Sequence, residues 1–550
     1  MSQNENPYEP SDAPEVPGGA AGDSQPSTAT QALTPVDDWF GHPRGLFFLF
    51  FAELWERFSF YGMRALLVLY CTKELFADEA DPKDFAYGIY AAYGALVYFT
   101  PAIGGVLADR VIGHKNSIML GAILMTLGHF TMAFESETIF YLSLGLLILG
   151  NGFFKPNISS LVGGLYSEGD KRRDSGFTIF YLGINIGAFI APLVCGFLGE
   201  SIGWHYGFGA AGIGMFVGLL VFGYGRRQGI YGTQGEQPEA AQNQNYAGIN
   251  IRYWIYALSF LAAPLFAFLV QQNSINVLAS VGGDFGLLSA LLIALLLVVL
   301  VFIGYQLFVS DRVTCHRLIV IMVLTSLVTV FWAFFEQAGS SLTLFAEEQV
   351  NLVLLNASMT NAINPGYIML LAIPFSIMWQ NLGDRNPRTI VKFGLGIIQL
   401  GLGFLVFALS ARFMDDSGKV SMLFLMFGYL LITSGELFCS PIGLSKITEL
   451  SPARLVSFLM GVWFLSSSFA HYIAGFIAKL TTGTSGGGGM LAGVSDAITG
   501  RDPSVAVSDS VANLYRYTDV FAQIAIVSFI VGIIALLITK LINHLMHGVH

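Results

Sequence analysis

Near the start of the chain, four ionisable residues and a tyrosine crowd one side of an otherwise apolar stretch. It reads Phe51-Ala-Glu53-Leu-Trp-Glu56-Arg57-Phe-Ser-Phe-Tyr61-Gly-Met-Arg64. At ~100° per helical residue, Glu53, Glu56, Arg57, Tyr61 and Arg64 fall within an arc of roughly 140°. Three more charges, Lys155, Glu336 and Glu436, stand inside other apolar stretches. A charge at mid-bilayer costs about 2.5–3.5 kcal/mol on insertion scales, so such residues face a cavity and a partner. Carboxylates so placed can carry protons, cations can hold an anion, and opposite charges can close a gap. A salt-bridge cluster that only fixes packing is the plainer reading, and its cost in lipid argues against it.

Composition says what must position these groups. Charged residues make up 12% of the 550, against about 25% in soluble proteins, while hydrophobic residues reach 54% and aromatics 14%. A chain with so little polar surface is a polytopic membrane protein. Apolar stretches able to span a ~30 Å hydrocarbon core fall near 45–73, 86–109, 116–135, 138–164, 176–199, 206–225, 251–271, 286–309, 317–345, 362–382, 389–412, 421–446, 455–480 and 518–543. That is an all-α plan of fourteen transmembrane helices. The pair 251–271 and 286–309 has almost no internal charge, and removing it leaves six helices on each side.

The expected organisation is a disordered acidic cytoplasmic tail over 1–43, a six-helix bundle over 44–225, a cytoplasmic linker over 226–250, a two-helix insertion over 251–310 and a second six-helix bundle over 311–550. A Gly-rich external loop, 481–517, lies within the last. The tail holds seven acids and no Lys or Arg, so it supplies seven of the ten net negative charges. It also carries seven of the 19 prolines, a composition that cannot bury a core. Of the 27 Lys and Arg, a cytoplasmic N-terminus puts seventeen on the cytoplasmic side and seven outside, with Arg57, Arg64 and Lys155 left in the membrane. Both termini are therefore expected inside. Cys71, Cys195, Cys315 and Cys439 show no metal or redox spacing. There is no HExxH or P-loop to suggest an enzyme, and nothing points to nucleic acid.

Depth arithmetic proposes partners. Arg64 and Glu336 each lie about 19 residues, ~28 Å at 1.5 Å per residue, above the inner start of their helices. Lys155 is about 17 residues, and Glu436 about 15, below the outer ends of theirs. Two pairings between the halves at opposite depths, Arg64–Glu336 and Lys155–Glu436, would let one end close while the other opens.

The motifs also resemble a known family. Glu53-Leu-Trp-Glu56-Arg57 matches the ExxER signature of the proton-dependent oligopeptide transporters, a branch of the major facilitator superfamily. Gly104-Gly-Val-Leu-Ala-Asp109-Arg110-Val-Ile-Gly113-His-Lys115 is similar to the superfamily's loop between helices 2 and 3. Further agreement comes from Gly150-Asn-Gly-Phe-Phe-Lys155-Pro156-Asn157, Phe180-Tyr181-Leu-Gly-Ile-Asn185-Ile-Gly187, Phe331-Trp332-Ala-Phe-Phe-Glu336-Gln337, Ile363-Asn364-Pro365, Gly435-Glu436-Leu-Phe-Cys-Ser440-Pro441 and Gly461-Val-Trp463-Phe. The resemblance covers roughly 44–480 plus the last helix.

The resemblance implies a major facilitator 6+6 bundle that imports di- and tripeptides with protons. Arg57 and Lys155 would hold the peptide carboxylate, with Tyr61 and Tyr98 hydrogen-bonding nearby. Glu436, Asn185 and Asn364 would receive the ammonium, and Trp332, Trp463 and Ser467 would form side-chain walls. Glu53, Glu56 and Glu336 would couple protons. Protonating Glu336 would release Arg64, and the arriving peptide carboxylate would compete with Glu436 for Lys155. No cofactor beyond the coupling proton is expected. The protein is expected to work as a monomer in a bacterial inner membrane. A carrier for another zwitterion, nitrate or a drug is the alternative.

Two departures matter: the first removes a proton site from helix 2, the second a hydroxyl from the pocket. Some relatives carry a histidine in helix 2 where this chain has Ala91, and many carry a tyrosine where it has Phe60. His129 and His471 stand in other helices, where either could relay protons, and the plainer reading is a hydrogen bond to a neighbouring helix.

Overall fold

The computed structural model describes residues 38–548, apart from 168, 272–285, 440–442, 453 and 483–490. The stretch 1–37 of the acidic tail, Ser440-Pro441 and Gly486–Gly489 thus lie outside the described residues. Fourteen helices of 18 residues or more dominate what is described. We number them α1 (Arg44–Tyr70), α2 (Pro82–Leu107), α3 (His114–Met132), α4 (Glu137–Gly164), α5 (Arg173–Ser201), α6 (Trp204–Arg227), α7 (Ile251–Gln271), α8 (Leu287–Val309), α9 (Arg312–Phe335), α10 (Ile363–Leu382), α11 (Thr389–Leu409), α12 (Met422–Cys439), α13 (Val456–Lys479) and α14 (Asp509–Leu537). Among the described residues, twelve helical segments are long and apolar enough to cross a membrane; α1 and α3 fall outside that set. Helix α1 carries Glu53, Glu56, Arg57 and Arg64, and its apolar surface lies against α5 and α6. The fold is therefore all-α and polytopic.

Helices suit this setting because hydrocarbon offers no partner for a free peptide N–H or C=O, and a helix satisfies its own. Helix starts are capped where they meet water. Asp81 accepts from the Asp84 N–H, with Pro82 in the first turn, and Asp311 accepts from the N–H groups of Val313 and Thr314 at 3.0 and 3.1 Å. Small residues allow the close approach that drives association in lipid. A Cβ on Gly104 would lie 2.0 Å from the Gly152 carbonyl oxygen, so α2 and α4 meet backbone to backbone there.

The long helices outside α7 and α8 form two six-helix sets. In the first, α1 packs on α5 and α6, α3 on α4 and α6, and α2 on α4. In the second, α11 packs on α12 and α14, α9 on α13, and α10 on α12. The sets meet along two seams, α2 with α13 and α5 with α10. Helix α7 lies against α4 and α2, while α8 makes slight contact with α9 and α7. Most of α8 is exposed apolar surface, including Val298, Val301 and Phe308, which suits lipid and not a cavity wall.

Four expected segments differ in detail. The span expected over 317–345 is broken: α9 ends at Phe335, Glu336–Gly339 forms a 3₁₀ turn, and Ser341–Gln349 is a separate helix. Ser340 and Ser341 support the break by bonding back to the Glu336 carbonyl and the Gln337 side chain. The last span, expected from 518, begins at Asp509. Its polar first turns are held by the Ser508 cap and by Asp519, which takes Arg501 at 2.8 Å. The linker is not bare: a short helix Glu239–Gln242 and a hairpin of Asn245–Tyr246 with Ile249–Asn250 fold under the α2–α3 turn. Lys115 anchors it, with Nζ at 2.6 Å from the Gly232 carbonyl and 2.7 Å from Glu236. In the Gly-rich loop, Ala492–Thr499 is a helix whose end carbonyls at Ala497 and Ile498 receive Arg412.

Candidate substrate and proton site

The charged arc of α1 faces the seam between the two sets, and its residues fall into two groups a few turns apart. Toward the termini, Arg57 is gripped by its own helix. Its Nη2 donates to Glu56 Oε1 at 2.7 Å, its Nε to Glu56 Oε2, and Nε lies 3.3 Å from Glu53 Oε1. All three side chains are buried. Asn151 of α4 reaches Glu56 Oε1 at 3.5 Å, and Glu53 Oε2 has no hydrogen-bond partner among the described residues. Two carboxylates against one guanidinium leave a net negative charge, so Arg57 is engaged as long as both are ionised.

Lys155 behaves differently. Among the described residues it forms no ion pair, and its ammonium sits 4.4 Å from the centroid of the Tyr98 ring. Both side chains are half-buried, as is Tyr61 on the same side of α1. Across the seam, Glu436 of α12 is 7% exposed and accepts from Asn364 Nδ2 at 3.0 Å; the same amide lies 3.0 Å from Thr433 Oγ1. The expected pairing of Lys155 with Glu436 is absent from the described ion pairs. Asn185 of α5 bonds to the Tyr181 carbonyl one turn back and joins neither group. Trp332 packs edge-on against Phe335, with centroids 5.0 Å apart, and Trp463 and Ser467 are half-buried on α13.

Toward the opposite face, Arg64 and Glu336 meet as their depths predicted. Arg64 Nη2 donates to Glu336 Oε2 across the two sets. Tyr90 of α2 completes the contact, receiving Arg64 Nε at 2.9 Å and donating to Glu336 Oε2 at 3.0 Å. His471 of α13 stands on the other side, Nε2 at 3.4 Å from the same oxygen, with its ring 4.3 Å from that of Tyr98. Further out, Lys73 pairs with Glu347, Lys83 with Glu348 at 2.7 Å and Lys479 with Asp84 at 2.7 Å, each joining one set to the other. The bundle is thus tied shut at this face.

Sequence reasoning missed Tyr90, Asn151 and the position of His471. A signal existed: Trp463, Ser467 and His471 recur every four residues on α13, as do Tyr90, Gly94 and Tyr98 on α2, so each trio shares a face. The plainer reading of His471 did not anticipate its place beside Glu336. His129 is a different case. It is fully buried on α3, and neither ring nitrogen has a partner among the described residues.

This geometry can be set beside known proteins. The profile of the POT family matches residues 115–490. The di-/tripeptide transporter of Lactococcus lactis subsp. cremoris is 38% identical over 458 residues, covering 79% of this chain and 89% of that protein. The chain belongs to the POT family. This POT protein is also 36% identical over 521 residues to the uncharacterized transporter YclF of Bacillus subtilis strain 168, covering 94% of the chain and 97% of YclF. Among solved structures, a crystal structure of the peptide transporter POT in complex with sulfate superposes with a TM-score of 0.76 at 33% identity, covering 94% of this chain and 98% of that one. POT proteins are transporters, and a multi-pass membrane protein of two six-helix halves is what this chain folds into.

Proposed function

We propose that the protein is a proton-coupled symporter that brings di- and tripeptides across a bacterial inner membrane by alternating access, working as a monomer with both termini in the cytoplasm. The observation that carries this reading is the unequal pairing of its buried charges. At one end Arg64 and Glu336 join the halves; at the other, Lys155 and Glu436 stand unpaired with each other, a cation in one half and a carboxylate in the other. A short zwitterion spans such a pair. Its carboxylate goes to Lys155, with Tyr61 and Tyr98 beside it. Its ammonium goes to Glu436 and Asn364, with Asn185 on the same seam. Trp332, Trp463 and Ser467 offer area more than shape to side chains, which favours breadth over selectivity.

Coupling follows from the same inventory. A proton taken by Glu53 or Glu56 frees Arg57 to meet the peptide carboxylate bidentately. A proton taken by Glu336 removes its attraction for Arg64 and lets the outer end part. The relatives named as di-/tripeptide transporters support this choice of cargo.

The test is uptake of a labelled dipeptide into proteoliposomes with and without an inward proton gradient. Accumulation that collapses with a protonophore and in Glu56→Gln is expected. Counterflow without gradient-driven accumulation would keep the peptide and refute the coupling. No peptide movement by folded protein would assign the pocket another cargo.

A further inference from the structure

His471 has a defined tautomer in this fold. Its Nδ1 lies 2.8 Å from the Ser467 carbonyl oxygen, and a carbonyl only accepts, so Nδ1 carries a hydrogen. The neutral ring then presents a bare Nε2, and that atom lies 3.4 Å from Glu336 Oε2. Two lone pairs facing each other among buried groups repel, and a single proton between them turns the clash into a hydrogen bond. The ring is seated for this contact. A Cβ on Gly94 of α2 would come within 2.6 Å of His471 Cδ2, so the imidazole occupies the space that glycine leaves open. One turn on, a Cβ on Gly475 would fall 2.2 Å from the Ala91 Cβ, so the two helices touch there without intervening side chains. The imidazole therefore enters from the second half against a helix 2 that carries no histidine of its own at Ala91.

We propose that His471 is the second proton carrier of the outer gate: it takes the proton that Glu336 gives up as Glu336 closes onto Arg64, and passes it toward the pocket. This rests on the symport reading above. In the step, the Glu336 O–H bond breaks and leaves its electron pair on the carboxylate, while a new N–H bond forms at His471 Nε2. The imidazolium then loses that proton to pocket water and returns to the neutral form with hydrogen on Nδ1. The groups facing it favour passage over storage. Glu336 and the hydroxyl of Tyr90 lie on one side, Arg64 and Tyr61 on α1, and Tyr98 on α2, with the Lys155 ammonium beyond the Tyr98 ring. Once Arg64 engages Glu336, the unpaired charge nearest the ring among the described residues is the Lys155 ammonium.

The test is His471→Gln, whose amide fills the slot and cannot take up a proton. Across a gradient of about one pH unit, each coupled proton can support about tenfold accumulation, and wild-type proteoliposomes should show it for a labelled dipeptide. His471→Gln should lose that accumulation while still exchanging dipeptide in counterflow, and its counterflow should lose the wild type's dependence on pH. Accumulation equal to wild type would overturn the proposal. If His471→Gln stops counterflow too, ¹⁵N-histidine NMR on full-length protein decides, with the His471 signal identified by its loss in the variant. The proposal requires its titration midpoint to move in Glu336→Gln; an unmoved midpoint overturns it. A wild type that moves no dipeptide would sink the peptide reading, and the same titration would still judge the proton pair.

Discussion

The two ends of the bundle are built from the same kinds of residue and are in opposite states. At the face away from the termini, Arg64 and Glu336 are locked together with Tyr90 and His471, and three outer ion pairs reinforce them. At the end nearer the termini, Lys155 rests on an aromatic ring and Glu436 on an amide, each with its charge unspent on the other. Among the described residues, the ion pairs at that face that involve Lys115 and Arg172 stay on one side of the seam, with Glu236, Asp38 and Asp170. The contrast teaches that the state of this carrier is set by where opposite charges meet across the seam. A symporter need only move that meeting place from one end to the other.

The largest effect should come from striking the buried cross-half pair. Glu336→Gln leaves the Arg64 guanidinium without its counter-charge, and removing one partner of a buried pair costs about 3–5 kcal/mol. That is enough to move a two-state balance by two or more orders of magnitude. The closed end should therefore open, read as a rise in maleimide labelling of a single cysteine placed at Glu347. Labelling as slow as in the parent would break the comparison at its centre.

A smaller effect should follow from packing alone. Gly475→Leu puts a branched side chain where even a Cβ would lie 2.2 Å from Ala91, and overpacking costs about 1–3 kcal/mol. Because α2 and α13 belong to different halves, the cost falls on the closed arrangement and not on either half. Labelling at Glu347 should rise, by less than for Glu336→Gln, with little change in melting temperature. A large drop in melting temperature with unchanged labelling would mean that this seam holds the fold and not the state.

How much of this was legible beforehand follows from what each feature depends on. Helix number depends on local hydropathy and charge, which a sequence displays, and even α1 could be placed despite its five charges. The meeting of Arg64 and Glu336 was legible because depth along a straight helix is a matter of counting. The end of α9 at Phe335 was not, since it rests on serine hydroxyls bonding back to Glu336 and Gln337. His471 was visible as a residue and invisible as a neighbour, because which helix faces α2 is a tertiary fact. The seat of the linker on Lys115 is likewise a long-range contact, between residues about 120 apart in the chain. Which end of a two-state machine is shut depends on a balance between packings, and one sequence encodes both.

The outer rim pairs should matter less again. Lys83 and Glu348 are each about a quarter exposed, and pairs of this kind are worth about 0.2–1 kcal/mol and are screened by salt. Lys83→Ala should raise labelling at Glu347 only slightly at low ionic strength, and the difference from wild type should vanish in high salt. A salt-insensitive effect as large as that of Glu336→Gln would move the gate from the buried cluster to the rim.

The smallest effect should come from a contact at the same face that does not cross the seam. Asp415 binds Ser417 and Lys419 through one carboxylate oxygen, with Oγ at 2.6 Å and the Lys419 N–H at 3.0 Å, and Asn351 through the other at 2.6 Å. The Ser417 hydroxyl, followed by the Lys419 N–H and the Asn351 amide, holds its carboxyl below the usual range. A carboxyl whose folded pKa is depressed contributes stability above its unfolded value of about 3.9 and loses it as pH falls through that value toward the folded one. Asp415→Ala should therefore lower the melting temperature slightly at neutral pH, with the difference from wild type closing only in strong acid. All of these partners belong to the second half, so labelling at Glu347 and dipeptide uptake should stay at wild-type levels. Were this variant to open the closed end as Lys83→Ala does, the distinction between contacts within a half and contacts across the seam would fail, and general loosening of that face would explain both.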